Sequence, residues 1–405
     1  TVQGGNEKMR YFTSLGYMGQ NGNIDNFDYR RYNLRANIES EFAKHFNFKL
    51  GVSGVVGRRS TPAFNSGGGD NGNEEVGFLS IARQTIQMHP YLPERYNGMY
   101  TAAIQKNTSL PNSPLAAIYE SGYKKTRSLE GNVNLELTYN VPWVKGVALK
   151  VNGSYNYSTS HNKNLNTLYS VMGYNNGTWS KYEDPRGTAL GEGQTTYEQM
   201  VGQASINYTS NFGLHNVEAL ALVEARDNKG CGLSAYAKNL PFIQLPELGF
   251  GVPTKDPIGG WSIASRTAGY VFRLKYDYNS KYMAEFTGRY DGSYKFYGMG
   301  KRWGFFPSAS LGWRISKEKF MEGLDFINDL KVRTSIGLLG NDAVSEYAFL
   351  STYSQWKSGV IYPLGASAVK SPGIYTSGIP NPNLTWEKTL SWNTGFDATL
   401  WNGLL

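Results

Sequence analysis

Residues 30 to 57 alternate almost without error. Tyr32, Leu34, Ala36, Ile38 and Phe42 are apolar or aromatic, and Arg31, Asn33, Arg35, Asn37, Glu39 and Glu41 fall between them. After a short turn near Lys44 the pattern resumes, with Phe46, Phe48, Leu50, Val52 and Val56 set against His45, Asn47, Lys49 and Ser53. A period of two means a β-strand with one apolar and one polar face. Each run is about 13 residues, against the usual 5 or 6. In a soluble sandwich the apolar face would meet a second sheet. In a membrane barrel it would meet lipid, and the polar face would line a wet lumen.

The rest of the chain separates these two. It has 405 residues, enough for two or three soluble domains or for part of one large barrel. The mean hydropathy is −0.45. No apolar run approaches the ~20 residues of a transmembrane helix, a test that a β-barrel escapes because only every second residue must be apolar. The 29 Tyr, 19 Phe, 9 Trp and 47 Gly suit long strands, aromatic girdles and large loops. The net charge of +8 is spread along the chain without a compact basic cluster, which argues against a nucleic-acid partner. Cys231 is alone and reads as a small loop residue. Neither end reads as a natural terminus: no signal peptide opens the chain, and Asn402-Gly403-Leu404-Leu405 reads as a turn leading into another strand.

About 12 strands are expected, at 9–20, 30–42, 46–58, 124–140, 147–158, 197–210, 216–226, 265–278, 282–292, 303–316, 330–340 and 386–400. The connections alternate between short turns and long polar stretches at 59–123, 159–196, 227–264 and 341–385. A short helix is expected at Lys317 to Leu324. Tight turns at one end and large loops at the other are the signature of an antiparallel transmembrane barrel. Aromatics give a second sign. Phe42, Phe46, Phe48, Tyr139, Trp143, Tyr208, Phe212, Tyr276, Tyr278, Tyr282 and Trp313 lie beside the short turns, and Tyr155, Tyr157, Tyr290, Tyr294 and Phe296 lie near the long loops. Two aromatic bands separated by aliphatic residues match the two interfaces of a bilayer. The expected fold is therefore all-β: a transmembrane antiparallel β-barrel with long extracellular loops and short periplasmic turns.

No catalytic constellation is present. His45, His89, His161 and His215 are far apart, and Cys231 has no second thiol, so no metal site or cofactor is expected. Gly67-Gly68-Gly69 lacks the Lys-Ser/Thr of a phosphate loop. Asp70, Asn71, Asn73 and Glu74 lack the full calcium-loop pattern, and Asn107-Thr108-Ser109 is an isolated sequon.

Two segments go beyond pattern. Residues 289–316 read RYDGSYKFYGMGKRWGFFPSASLGWRIS, and residues 380–403 read PNPNLTWEKTLSWNTGFDATLWNG. Together they resemble the barrel of SusC-family (SusC/RagA-type) TonB-dependent transporters of Bacteroidetes. KVRTSIGLLGN at 331–341 and RYNLRANIESEF at 31–42 fit the same family. The resemblance implies a 22-stranded barrel in the outer membrane, so residues 1–405 are expected to be a partial barrel domain, without signal peptide, plug domain or C-terminal strands. It implies import of glycans or oligopeptides. It also implies a SusD-like lipoprotein on the extracellular loops, TonB acting through a plug, and contact with outer-membrane lipid. No enzyme activity is implied. A passive porin-type barrel shares the pattern arguments, and a surface β-rich glycan-binding protein is the soluble alternative. Sugars offer apolar faces ringed by hydroxyls, so Trp179, Tyr182, Trp261, Trp356 and Tyr375, read as aromatics in long loops, are the candidate substrate contacts.

Overall fold

The computed structural model describes residues 1–63, 74–104, 113–183, 187–324, 326–362 and 369–401. The Gly67–Gly69 run, Asp70, Asn71, Asn73, the Asn107 sequon and the 402–405 turn lie outside these residues, as does the side chain of Trp356. The chain opens with β1 (Val2–Gly5), β2 (Met9–Asn21), β3 (Asp28–Ala43) and β4 (Phe46–Pro62). There follow α1 (Glu74–Gln87), β5 (Arg95–Tyr96), β6 (Met99–Ala102), α2 (Pro114–Tyr119), β7 (Gly122–Asn140) and β8 (Val147–Asn166). Next come β9 (Ser170–Asn175), β10 (Thr178–Glu183), β11 (Ala189–Phe212), β12 (His215–Lys238), β13 (Val252–Tyr278) and β14 (Tyr282–Ser293). The chain closes with α3 (Met299–Arg302), β15 (Trp303–Arg314), β16 (Ile327–Asn341), β17 (Thr352–Tyr362), β18 (Val369–Ser377) and β19 (Glu387–Leu400). No described helix is long and apolar enough to cross a membrane.

Thirteen strands form one sheet in the order β1-β2-β3-β4-β7-β8-β11-β12-β13-β14-β15-β16-β19. All twelve expected strands are in it, and β1 adds an edge. Register shows why. Ile38 lies opposite Leu50 and Leu50 opposite Leu135, while Val52 meets Val133 and Val133 meets Tyr155. Further along, Leu149 meets Ile206, Ile206 meets Ala221 and Ala221 meets Phe272. The apolar phases of successive strands thus merge into one continuous outward face. A slip of one residue would turn any strand's apolar set inward.

Short turns close one end. His45 (φ 72°), Gly213 (φ 65°), Asn279 (φ 50°) and Ser280 (φ 52°) supply the positive φ that tight hairpins need. The outward aromatics gather there: Phe46 stacks on Tyr139 at 4.5 Å and Tyr278 on Tyr282 at 6.3 Å. The expected helix at Lys317 to Leu324 is instead two single 3-10 turns, Ile315–Lys317 and Lys319–Met321. Glu318 sits between them. Its carboxylate takes Lys281 Nζ at 2.6 Å, Tyr282 OH at 2.7 Å and Trp313 Nε1 at 3.0 Å. The Lys281 ammonium, with the Tyr282 and Trp313 bonds, holds the Glu318 carboxyl down at about 2.

At the other end the strands run past the expected boundaries. The long loop expected at 227–264 is mostly sheet, since β12 continues to Lys238 and β13 begins at Val252. Beyond the bilayer no lipid demands an apolar face, so alternation stops while backbone pairing continues. The described parts of the stretches 59–123 and 159–196 hold further regular structure. β5, β6, β9 and β10 form a four-stranded sheet, with β6 parallel to β9. Tyr100, Ala102, Ala116, Tyr169 and Val171 make its small core. Tyr294 and Phe296 leave the expected outer aromatic band for contacts with residues of the 341–386 stretch. Phe296 is fully buried 5.4 Å from Trp386, and the Tyr294 hydroxyl bonds Glu346.

Candidate functional site

The inward face carries the polar phase. At bilayer level Lys49 lies 3.5 Å from Glu39 and 3.6 Å from Glu136. Nearer the short turns a hollow of about 820 Å³ is lined by Glu218, Lys275, Asp277, Glu285, Lys331 and Arg333 among others. Higher up, amides join the charged side chains on this face. Asn132 Nδ2 donates to Asn156 Oδ1, and Asn156 Nδ2 to Gln199 Oε1 at 3.2 Å. Gln199 Nε2 donates to Asn228 Oδ1 at 2.8 Å, and Asn228 Nδ2 to Ser265 Oγ at 3.0 Å. One chain of hydrogen bonds thus crosses β7, β8, β11, β12 and β13. A carboxamide has two N–H donors and two acceptor lone pairs. Each ladder amide therefore keeps capacity for water or for a neutral polar ligand.

Above the ladder lies an aromatic platform. The rings of Tyr197 and Trp261 are 5.7 Å apart. Glycines make room for both. A Cβ on Gly230 would stand 2.9 Å from Tyr197 ring carbons, and one on Gly232 would stand 2.3 Å from Trp261 Nε1. The ladder and Tyr197 line a hollow of about 450 Å³ with Glu130, Ser158 and Ile263, and Trp261 stands beside Tyr197 next to it. Amides beside flat rings suit an uncharged ligand with hydroxyl or amide groups and apolar faces.

The sequence candidates fall in different places. Trp261 is on β13, in a strand and not in a loop, and its ring is 42% exposed on the inward face. Trp179 stacks on Tyr96 at 4.3 Å with Tyr174 at 5.1 Å, in the extracellular layer. Tyr182 packs against that layer's core. Tyr375 is half exposed on β18, opposite Ser354 of β17, the strand that also carries Trp356. Tyr197, Gln199 and Asn228 are not among the sequence candidates. Their signal is faint: amides on the polar phase of neighbouring strands, and glycine at both 230 and 232. Among the described residues no group of three or more His, Cys, Asp or Glu side chains is placed to hold a metal ion.

The two motif segments meet across the top of the wall. Lys301 Nζ reaches Asn383 Oδ1 at 2.7 Å and the Pro382 carbonyl at 2.9 Å. Trp386 Nε1 donates to the Arg302 carbonyl at 3.1 Å, and its ring meets Phe306 at 5.1 Å. Segments about eighty positions apart in sequence are thus one packed unit.

A family model described as TonB dependent receptor-like, beta-barrel matches residues 76–405. The chain belongs to this family. It is an outer-membrane β-barrel chain of the TonB-dependent receptor family, whose members are transporters and receptors. The receptor barrel is 26% identical over 430 residues to TonB-dependent receptor SusC of Bacteroides thetaiotaomicron, covering 100% of this chain and 39% of SusC. It is 25% identical over 409 residues to TonB-dependent receptor P3 of Formosa agariphila, covering 99% of this chain and 38% of P3. The chain thus spans about two fifths of the length of these curated relatives. Among solved structures, the RagAB peptide transporter superposes with a TM-score of 0.75 at 20% identity, over 99% of this chain and 42% of that one. The RagAB importer in its open-open state gives 0.77. These likenesses carry the barrel fold.

Proposed function

We propose that this chain is wall and mouth of a SusC-like, TonB-dependent importer that takes up glycans or oligopeptides. The observation that carries the proposal is the match to SusC along the whole chain. Two features support it. The upper lumenal wall sets amides and flat rings among its charged side chains. The described parts of the long excursions form small sheets that offer a partner a firm surface. A SusD-like lipoprotein is the proposed partner there, with TonB acting through a plug inside the complete barrel. The neighbour called a peptide transporter supports oligopeptides, and the aromatic platform supports glycans equally. Trp261 with Tyr197 is the proposed lumenal contact, and Trp179, Tyr182, Trp356 and Tyr375 are the proposed contacts outside. The proposed work is passage without covalent chemistry.

Uptake of labelled glycan and peptide mixtures by cells carrying the full-length protein, with and without functional TonB, tests this. Uptake that stops without TonB is expected. Uptake that continues unchanged would make the protein a passive pore. Co-purification of a surface lipoprotein with the tagged full-length protein tests the partner.

A further inference from the structure

Above the outward apolar band, three adjacent strands carry an arginine at the same level. On β3, Arg30 is the next outward residue past Tyr32. On β4, Arg58 follows Val56, and on β7, Arg127 follows Leu129. Register aligns them: Arg30 pairs with Arg58, and Arg58 with Arg127. Strands lie about 4.8 Å apart, so three guanidinium groups crowd into about 10 Å. Like charges directly opposite across strands are destabilising.

The neighbours do not relieve this. No ion pair reaches Arg30, Arg58 or Arg127 among the described residues, and all three are exposed. His161 continues the row from Arg127 but faces Glu192 at 3.8 Å. In the next row up, Asp28 and Ser60 stand over Arg30 and Arg58, and Lys125 stands over Arg127. Asp28 makes no ion pair with the row, and Lys125 adds a further cation that lies over the Tyr123 ring. Elsewhere on the same face a charge past the apolar band is neutralised within the chain. Arg266 Nε, for example, meets Asp227 at 3.3 Å.

We propose that Arg30, Arg58 and Arg127 form an anion site on the outward wall that binds phosphate groups of outer-leaflet lipid headgroups. The site lies where a headgroup must be, one step beyond the residues that meet acyl chains. Arginine suits the task, because its planar fork grips phosphate oxygens in pairs and always carries its charge. Such a site would hold a shell of phosphorylated lipid against this sector and fix the barrel's height in the bilayer. It depends on the outward direction of the face and not on what the barrel transports.

The test uses full-length protein in bilayer nanodiscs, with bis-phosphorylated lipid A or its dephosphorylated form as the probe, and retained lipid read by native mass spectrometry. The native protein should prefer the phosphorylated form. The triple variant R30Q/R58Q/R127Q should lose about fivefold per arginine, roughly a hundredfold in all. R30K/R58K/R127K keeps the charge and should retain most of the binding, which guards against a variant that fails to fold. R31Q/R35Q/R273Q removes three inward arginines and should change nothing. No preference in the native protein, or equal loss in the inward variant, would overturn the proposal. Displacement by millimolar inorganic phosphate would also overturn it, since the occupant would then be a soluble anion.

Discussion

Lys49 and Leu50 are neighbours in one strand, yet they answer opposite demands. Lys49 faces inward between Glu39 and Glu136, and both carboxylates are within 3.6 Å. Leu50 faces outward between Ile38 and Leu135. The backbone is the same and the register is shared, so only the medium differs. Water in the lumen solvates the charges that partners leave unpaired. Lipid solvates none, so among the described residues the outward face carries arginine past the apolar band, as at Arg30, Arg58, Arg127 and Arg266. Solvation, more than strand propensity, therefore decides each position.

Substitutions at bilayer level should break that comparison first. Leu50→Arg is expected to cost about 2–4 kcal/mol in urea unfolding of the full-length protein in bilayers, while Asn33→Arg on the inward face is tolerated. Equal cost at the two positions would refute the assignment of faces. Next is Gly232→Ala, whose new methyl needs the space of the Trp261 ring. Overpacking of this kind costs about 1–3 kcal/mol. The emission of Trp261, isolated by difference from Trp261→Phe, should shift. Gln199→Ala should cost about 1 kcal/mol or less, because water in the lumen replaces the lost bonds. It should weaken retention of a neutral ligand more than it weakens the fold.

The smallest effect concerns the turn clip. Glu318 has its folded pKa below the ordinary value of 4.5, at about 2. Its contribution is therefore complete above about pH 4.5 and is lost as pH falls towards 2. The difference in unfolding midpoint between native protein and Glu318→Gln should shrink over that interval. A difference that stays constant with pH would show that the Lys281–Glu318 pair contributes nothing.

Legibility followed the same boundary between media. Each strand that crosses the bilayer was readable, because lipid forces alternation on it. The upper halves of β12 and β13 were not, and the segment around Trp261 read as a loop. Both faces are wet there, so Arg226 to Lys238 carries no period for the eye to follow. The candidate site suffered from this directly. Trp261 stands out in the sequence as an aromatic, but its partner Tyr197 and the amides of Gln199 and Asn228 do not. Their meaning comes from who stands opposite whom.

By itself the sequence determined the fold class, the direction of the two faces, the short-turn end and the family. Those follow from local rules: a period of two, turn residues, and two motif strings. Only the tertiary structure decided the register. Register converts scattered asparagines and glutamines into one ladder, scattered glycines into a seat for two rings, and three separate arginines into one row. Pairing between strands far apart in sequence is a cooperative property of the whole sheet, and no single strand encodes it.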